Sequence, residues 1–391
     1  MNKSMTMMLL LGAVAATGTA HADSVQRTAD GGYILFGSYY TADSFLFKVD
    51  DHGELLWKVP ITAYADWLTD TNDDILLGNA LQTADGGYIL GYNDGQGHLT
   101  KVSGNGTSTA WDKTFGHDGD NGLYNVQPTA DGGYIAAGYT RFMGAGGDDA
   151  WLLKVDGNGQ QQWSTPYGTS NIEVFYAVRP TADGGYVAVG TFNNTPDNSM
   201  RYDGWIVKVD NKGQKTWGYT IGGSNGADDA FADVQQTADG GYIMAGYSGG
   251  YNNIGRGNSH SRGWLVKLSN ANKVEWSMVL NSTPVASSVQ QTADGGYITC
   301  GYTPTTAGSG GMAFLVIKLD GAGNVQWQNN YGDNGTGAHY ASSVLQTPDG
   351  GYVVYGRSYT LYDGTGTRLV KINADGSAAW EKFYSGQLMF Q

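Results

Sequence analysis

The chain contains one cysteine, Cys300, among 391 residues, so no disulfide can form within it. Cys300 lies in the segment Tyr297–Gly301, and related segments elsewhere in the chain hold other residues at its position. Those residues are Phe36, Ala137, Val189, Ala245 and Tyr355. Because that position is mostly apolar, we expect Cys300 to be a small core residue and not a nucleophile.

Basic residues are also scarce. The chain has 22 Lys and Arg against 36 Asp and Glu, a formal net charge of −14. Nucleic acids and anionic membranes attract clustered Lys and Arg, so this balance argues against both as partners. Cations, neutral glycans and basic proteins remain compatible with it. Sustained helical periodicity is absent after the N-terminal segment, and so is any apolar run long enough to span a bilayer.

The N-terminal segment has the pattern of an export signal. Lys3 provides a positive charge, residues 5–16 are apolar, and Ala20-His21-Ala22 forms a small-x-small cleavage site. No cysteine follows that site, which argues against a lipid anchor. We therefore predict a signal peptide over residues 1–22, and a secreted or periplasmic mature chain without a transmembrane segment.

One sequence unit recurs along the rest of the chain. The tetrapeptide Asp-Gly-Gly-Tyr occurs seven times. Its copies begin at Asp30, Asp85, Asp131, Asp183, Asp239, Asp294 and Asp349. Glycine supplies the positive φ of tight hairpins, and the flanking segments are short and rich in β-branched and aromatic residues. Each copy therefore predicts a hairpin between two strands.

A second hairpin follows within each unit. Lys-Val-Asp-x-x-Gly at residues 48–53 is typical of a type I turn, and a tryptophan-bearing strand comes next. The seven tryptophans are Trp57, Trp111, Trp163, Trp217, Trp276, Trp327 and Trp380. Four antiparallel strands per unit predict an all-β, seven-bladed β-propeller over residues 23–391, in preference to a β-solenoid.

The repeated lysine of each unit precedes an apolar residue. These lysines are Lys48, Lys101, Lys154, Lys208, Lys267, Lys318 and Lys371. We expect each to lay its stem along a blade and to pair with a turn carboxylate. We also expect the first blade to form within the first repeat, with a strand exchanged with residues 386–391 as the alternative.

The sequence of turns and tryptophans resembles the quinoprotein-type (PQQ-like) repeat and, more loosely, the kelch repeat. The resemblance implies that Trp163, Trp217 and Trp327 dock onto the neighbouring blade. Quinoprotein dehydrogenases have eight blades, and many have an adjacent-cysteine disulfide, so this chain departs from the cofactor-binding members. The PQQ-like family also includes non-enzymatic periplasmic scaffold proteins.

Strand direction predicts where a site would lie. The two short turns of each unit should share one face, and the long loops and unit-to-unit connections should share the other. The long loops are residues 139–150, 191–204, 247–263, 302–313 and 358–367. The connections include residues 116–124, 168–176, 222–231 and 332–340. We expect the functional site on this second face, near the axis.

Two kinds of side chain on that face are candidate functional residues. Candidates for catalysis are His117, His260, His339, Tyr124, Tyr340 and Arg262, the residue types that polysaccharide lyases combine. Candidates for stacking on a sugar are Trp67, Phe142 and Tyr251. Packing within the loops is the simpler alternative for both groups.

Short acidic clusters are candidates for binding calcium. Oxygen ligands alternate at Asp70, Asn72 and Asp74, but Ile75 replaces the glycine that an EF-hand loop needs. Asp118 with Asp120 and Asp148 with Asp149 form shorter clusters. Ordinary loop composition explains such runs equally well.

The sequence thus favours a non-catalytic binding or scaffold protein that engages a protein or glycan. A polysaccharide lyase that uses the histidine, tyrosine and arginine residues of the same face is the alternative.

Overall fold

The computed structural model describes most of the chain after the predicted signal segment. The described residues are 24–38, 44–61, 77–93, 96–116, 121–141, 143–193, 195, 201–222, 228–250, 261–305, 311–332, 337–360 and 364–385. Every regular element in these ranges is a β-strand, as the repeat predicted. Within the described ranges, no helix is long and apolar enough to cross a membrane.

The 28 strands follow the repeats in groups of four, and we call each group a unit. The first unit consists of β1 (Ser24–Arg27), β2 (Tyr33–Ser38), β3 (Ser44–Val49) and β4 (Leu55–Ile61). The second consists of β5 (Leu77–Gln82), β6 (Tyr88–Asn93), β7 (Gly97–Val102) and β8 (Thr109–Phe115). The third consists of β9 (Asn121–Pro128), β10 (Tyr134–Thr140), β11 (Asp149–Val155) and β12 (Gln161–Tyr167). The fourth consists of β13 (Glu173–Pro180), β14 (Tyr186–Asn193), β15 (Tyr202–Val209) and β16 (Lys215–Ile221).

The remaining units repeat this plan. The fifth consists of β17 (Asp228–Gln236), β18 (Tyr242–Gly250), β19 (Arg262–Leu268) and β20 (Val274–Leu280). The sixth consists of β21 (Ala286–Gln291), β22 (Tyr297–Pro304), β23 (Met312–Leu319) and β24 (Val325–Tyr331). The last consists of β25 (Ala338–Gln346), β26 (Tyr352–Thr360), β27 (Gly364–Ile372) and β28 (Ala378–Ser385).

Consecutive strands pair antiparallel within every unit. The first five units form separate four-stranded sheets, whereas the last two are joined by one parallel bridge between Met312 and Ala338. β1 pairs with β2 inside the first repeat, which confirms the prediction for that unit. Both repeated turns connect consecutive strands on one side, which we call the turn face. The opposite side, with the long loops and the connections, is the loop face.

The predicted connections are shorter than the sequence suggested. Strand β25 begins at Ala338 and β13 begins at Glu173, inside ranges that we expected to be loops. The reason is the burial of these residues: Glu173 and His339 are both 0% exposed and lie against the preceding unit. Such polar residues resemble loop residues in a sequence, although here they begin buried strands.

The repeated lysines lie where they were predicted. Each extends along its blade and forms an ion pair with the aspartate of its own Asp-Gly-Gly-Tyr turn, at 2.5–3.0 Å. We call these the repeat ion pairs. In the last unit, hydrogen bonds from Lys371 and Thr347 lower the pKa of Asp349 to about 2. In the fifth, partial burial opposes ionisation, but bonds from Lys267 and Thr237 still lower the pKa of Asp239 to about 2.

The repeated tryptophans pack between units. A Cβ built on Gly159 would lie 3.0 Å from the Trp111 ring, and Gly213 has the same relation to Trp163 at 2.9 Å. Both glycines end the second turn of the following unit. The indole of Trp163 also donates to the Asn211 carbonyl in that turn, at 3.0 Å. This is the docking that the PQQ-like resemblance implied.

The last unit packs against the first in the same way. Trp380 lies against Gly53, whose notional Cβ would be 2.7 Å from the ring. The Tyr384 hydroxyl donates to the Gly53 carbonyl at 2.7 Å, and Lys382 pairs with Glu54 at 2.6 Å. The two ends of the described chain are therefore joined by the contacts that join successive units.

Candidate functional site

His339, a predicted catalytic candidate, lies in the interior of the last unit. It is 0% exposed, and its Nδ1 lies 2.5 Å from the Ser358 hydroxyl. Its ring also meets Phe314 edge-on, at 6.5 Å between centroids. A residue in this position supports the packing between two units and does not reach solvent at the loop face.

The other described candidates occupy three different units. Tyr124 is buried and packs against Tyr139 and Tyr176, each at 5.7 Å between centroids. Tyr340 meets Tyr302 edge-on at 4.8 Å. Arg262 is exposed and donates to the Asn281 side chain at 2.9 Å. These contacts join each candidate to residues of its own unit or of the neighbouring unit.

The remaining candidates lie outside the described residues. They are His117, His260, Trp67, Phe142, Tyr251, Asp70, Asn72, Asp74, Asp118 and Asp120. The calcium and sugar-stacking hypotheses that involve them stay predictions. Among the residues that the structure does describe, no three His, Cys, Asp or Glu side chains are placed to hold a metal ion together. Cys300 is buried, as expected, and burial raises the pKa of its thiol strongly.

The sequence did not reveal a layer of tyrosines and acids on the loop-face side of the third to fifth units. We call it the tyrosine–acid layer. Its tyrosines are Tyr124, Tyr139, Tyr176, Tyr202 and Tyr247. Its acids are Asp148, Asp149, Glu173, Asp203, Asp228 and Asp229. Arg141 partly neutralises the layer by donating to both oxygens of Asp148, at 2.8 and 3.2 Å.

Two pairs of carboxylates converge in this layer. Each pair lies next to a glycine that directly follows the fourth strand of a unit. Carboxylate oxygens of Asp149 and Glu173 both lie where a Cβ on Gly168 would be, and those of Asp203 and Asp229 lie close to where a Cβ on Gly222 would be. A side chain on either glycine would overlap these oxygens. The fold therefore brings acids from neighbouring units together at two equivalent positions.

Burial makes ionisation unfavourable in the layer. Loss of water contact raises the pKa of Asp228 to about 6, although the Tyr202 amide donates to its carboxylate at 3.0 Å. Burial also raises the pKa of Asp149, Glu173 and Asp203. Repulsion from the paired carboxylate adds to the effect of burial at Glu173 and Asp203, so their protonation is more favourable than that of a surface carboxyl.

In the second to seventh units, the first strand carries a β-bulge or register shift near its loop-face end. In the fourth unit, Phe175 pairs with Gly190 and Ala177 with Val189, so Tyr176 has no partner in the ladder. The bulged residues of the last three units are Ala232, Ser287 and Ser342. Gly190, on the second strand opposite the bulge, allows this close approach, because a Cβ on Gly190 would overlap the Val174 carbonyl.

The free inner edges of the first strands bond to side chains of the preceding unit. Asn79 accepts from the Val126 amide at 2.6 Å and donates to its carbonyl at 3.0 Å. Gln290 accepts from the Gln346 amide at 2.6 Å. An edge strand would otherwise leave these backbone groups unpaired. In the sequence, the recurrence of glutamine just before Thr-Ala-Asp-Gly-Gly could have indicated this contact.

The first strands of all units enclose one central cavity of about 410 Å³. Among the described residues that line the cavity, the only ion pair joins Arg179 to Asp233, at 2.6 Å. Arg179 also donates to Asn125 at 2.9 Å, and Asp233 accepts from Ser288 at 3.1 Å. The rest of the wall is mainly serine, asparagine and glutamine, so the cavity offers hydrogen bonds more than charge.

One comparison with known proteins, the match to a family model, agrees with this architecture. No curated protein matches the chain. A crystal structure of a protein of unknown function from Bacteroides caccae is similar to it, with a TM-score of 0.47 and 14% identity. That match covers 77% of this chain and 94% of the other. The family model described as outer membrane protein assembly factor BamB, a PQQ-like repeat family of propeller type, matches residues 43–277, more than half of the chain. The chain therefore belongs to this family.

Proposed function

We propose that the protein is an exported, non-catalytic scaffold, a single domain of seven blades over residues 23–391 that follows a signal peptide. Each unit would be one blade. The contact of Trp380 and Tyr384 with Gly53 supports a closed ring, because it repeats between the last and first units what joins the others. Ring closure removes the need for a strand exchanged with residues 386–391.

The loop face would bind the partner. This proposal rests on one observation: the side chains that recur in every unit make structural contacts. The repeat ion pairs and the tryptophan–glycine contacts both involve the turn face. Packing therefore accounts for the residues that the units share, and the residues that differ between units lie mainly on the loop face. Variable loops on a rigid scaffold are where recognition usually resides.

The partner would be a protein. The family description names an outer membrane protein assembly factor, which supports a protein as the partner. The acidic balance of this chain favours a partner with a basic surface. No described residue favours the lyase alternative, since His339 is enclosed within its unit.

Paired surface substitutions test this proposal. Ala145→Arg with Ser170→Arg alters the loop face, and Ala182→Arg with Ala293→Arg alters the turn face. All four residues are exposed, so both variants should fold. We expect the loop-face variant to reduce capture of outer-membrane assembly proteins from an envelope extract by about tenfold or more, about 1.4 kcal/mol. The turn-face variant should capture them as the unmodified protein does, and the opposite result would refute the proposal.

A further inference from the structure

We propose that the interface between the fourth and fifth units is pH-sensitive: it is closed while its carboxyl groups hold protons, and it opens locally when they ionise. We call this contact the acidic interface. It belongs to the tyrosine–acid layer and consists of Asp203 of β15, Asp228 and Asp229 of β17, and Gly222, which follows β16. The inference concerns the conformation of the scaffold, so it goes beyond the proposed binding of a partner and does not depend on it.

The acids connect the two units directly. Asp228 of the fifth unit accepts a hydrogen bond from the Tyr202 amide of the fourth, at 3.0 Å. An oxygen of Asp229 lies 3.0 Å from the notional Cβ of Gly222, at the end of the fourth unit, and an oxygen of Asp203 lies still closer to that point. These side chains are therefore part of the packing between units, where a change in their charge acts on the contact itself.

Little positive charge offsets these acids. Asp228 is 8% exposed and Asp229 is 1% exposed. The cation that acts on Asp228 is Arg201, which precedes β15 and is itself exposed. The phenols of Tyr202 and Tyr247 face Asp228 from β15 and β18, and burial raises the pKa of both, so they stay neutral. The titratable neighbours of these two phenols, farther into the layer, are Tyr176, Asp148 and Glu173.

The interface between the second and third units has the same construction without the charge. Asn121 begins β9 and lies over Gly116, as Asp229 lies over Gly222. Asn121 is 0% exposed, and its side-chain oxygen accepts from the Thr140 hydroxyl at 2.6 Å. An uncharged side chain thus fills this position in a closed interface, so packing alone does not require an acid there.

Ionisation should open the acidic interface because the closed form binds protons more tightly than the open form. Burial raises the pKa of Asp228 to about 6, and burial together with repulsion from Asp229 raises the pKa of Asp203. Water in an opened interface would return these groups towards the ordinary value of 3.8. For one proton, the equilibrium constant for opening should therefore rise by up to about tenfold per pH unit between about pH 4 and 6, and then level off.

Amide-resolved hydrogen exchange tests this inference, at pH values from about 4 to 7 and with correction for the chemical exchange rate. EDTA keeps metal ions from neutralising the acids. The Tyr202 amide reports opening, since its acceptor Asp228 lies across the interface. The matched control is the Val126 amide, which donates to the neutral Asn79 side chain of the preceding unit at 2.6 Å. We expect the protection of Tyr202 to fall by about tenfold or more over this range, relative to Val126.

Two variants assign the effect to the acids. Asp228→Asn and Asp229→Asn each remove a titrating group and keep the shape of the side chain, as Asn121 does in the third unit. We expect either variant to reduce the loss of Tyr202 protection, and the double variant to remove most of it. Asp51→Asn, at an exposed turn of the first unit, should retain the full loss. Circular dichroism checks that each variant is folded.

Three results would overturn the inference. The first is equal protection of the Tyr202 amide at about pH 4 and pH 7. The second is an equal loss at Val126, which would indicate unfolding of the whole protein and not local opening. The third is a loss at Tyr202 that both Asp228→Asn and Asp229→Asn leave unchanged.

Discussion

Ring closure can be tested by substituting Gly53 with alanine. Gly53 has a φ of +76°, and its notional Cβ would lie 2.7 Å from Trp380 of the last unit. An alanine there incurs two separate costs. One is the left-handed backbone conformation, and the other is displacement of the Trp380 ring.

Gly132→Ala is the matched control. Gly132 has a φ of +81°, but nothing lies within 4 Å of its notional Cβ. Both variants therefore share the backbone cost of about 1–2 kcal/mol. Overpacking against a well-packed ring adds about 1–3 kcal/mol, so we expect Gly53→Ala to destabilise the protein by about 2–5 kcal/mol.

Urea denaturation followed by tryptophan fluorescence measures both variants. A double-mutant cycle with Trp380→Leu isolates the contact, because the extra cost of Gly53→Ala over Gly132→Ala should then largely disappear. Equal losses of unfolding free energy in the two single variants would refute the closure of the ring through Trp380. An extra cost that persists without Trp380 would also refute it.

Three further predictions concern conformation and pH. Asn272 has a φ of +59°, at a turn position where the other units have glycine. In thermal denaturation, Asn272→Gly should therefore change the unfolding free energy by less than about 1 kcal/mol, whereas Asn272→Val should lower it clearly. Hydrogen bonds from lysine and threonine lower the pKa of Asp349 and of Asp239 from 3.8 to about 2. The stabilisation from these two repeat ion pairs is therefore present above about pH 4 and should be lost as the pH falls towards 2, which urea titrations at each pH would show. Asp228 has the opposite effect, because its pKa is raised to about 6 and the folded state therefore binds more protons than the unfolded state between about pH 4 and 6. The unfolding free energy should decline by at most about 3 kcal/mol as the pH rises through that range. Asp228→Asn should reduce that decline, and an unchanged slope would show that Asp228 is ionised in the folded protein.

Contacts that recur from unit to unit could be predicted from the sequence. The pairing of Lys267 with Asp239, for example, follows from a turn carboxylate and a strand lysine that recur together. The docking of Trp163 followed from the family resemblance. These contacts repeat in every unit, so the periodicity itself identifies their members.

Contacts between units at particular positions could not be predicted. Asp149 and Glu173 belong to different units, and only the relative placement of two blades brings them together. His339 resembled a loop residue because a bulged strand begins earlier than the hydrophobic pattern suggests. Tyr176 of the tyrosine–acid layer could not be predicted for the same reason, since a bulge changes the direction of a side chain without leaving a sequence pattern of its own.

The proposal that the loop face binds a protein partner is tested most directly by photocrosslinking from two exposed alanine positions. A crosslinking amino acid replaces Ala145 on the loop face or Ala182 on the turn face of the full-length protein in living cells. We predict that one defined protein partner crosslinks from position 145 and not from position 182. Crosslinking of that partner from position 182 alone, or equally from both positions, would contradict the assignment of the loop face as the binding surface.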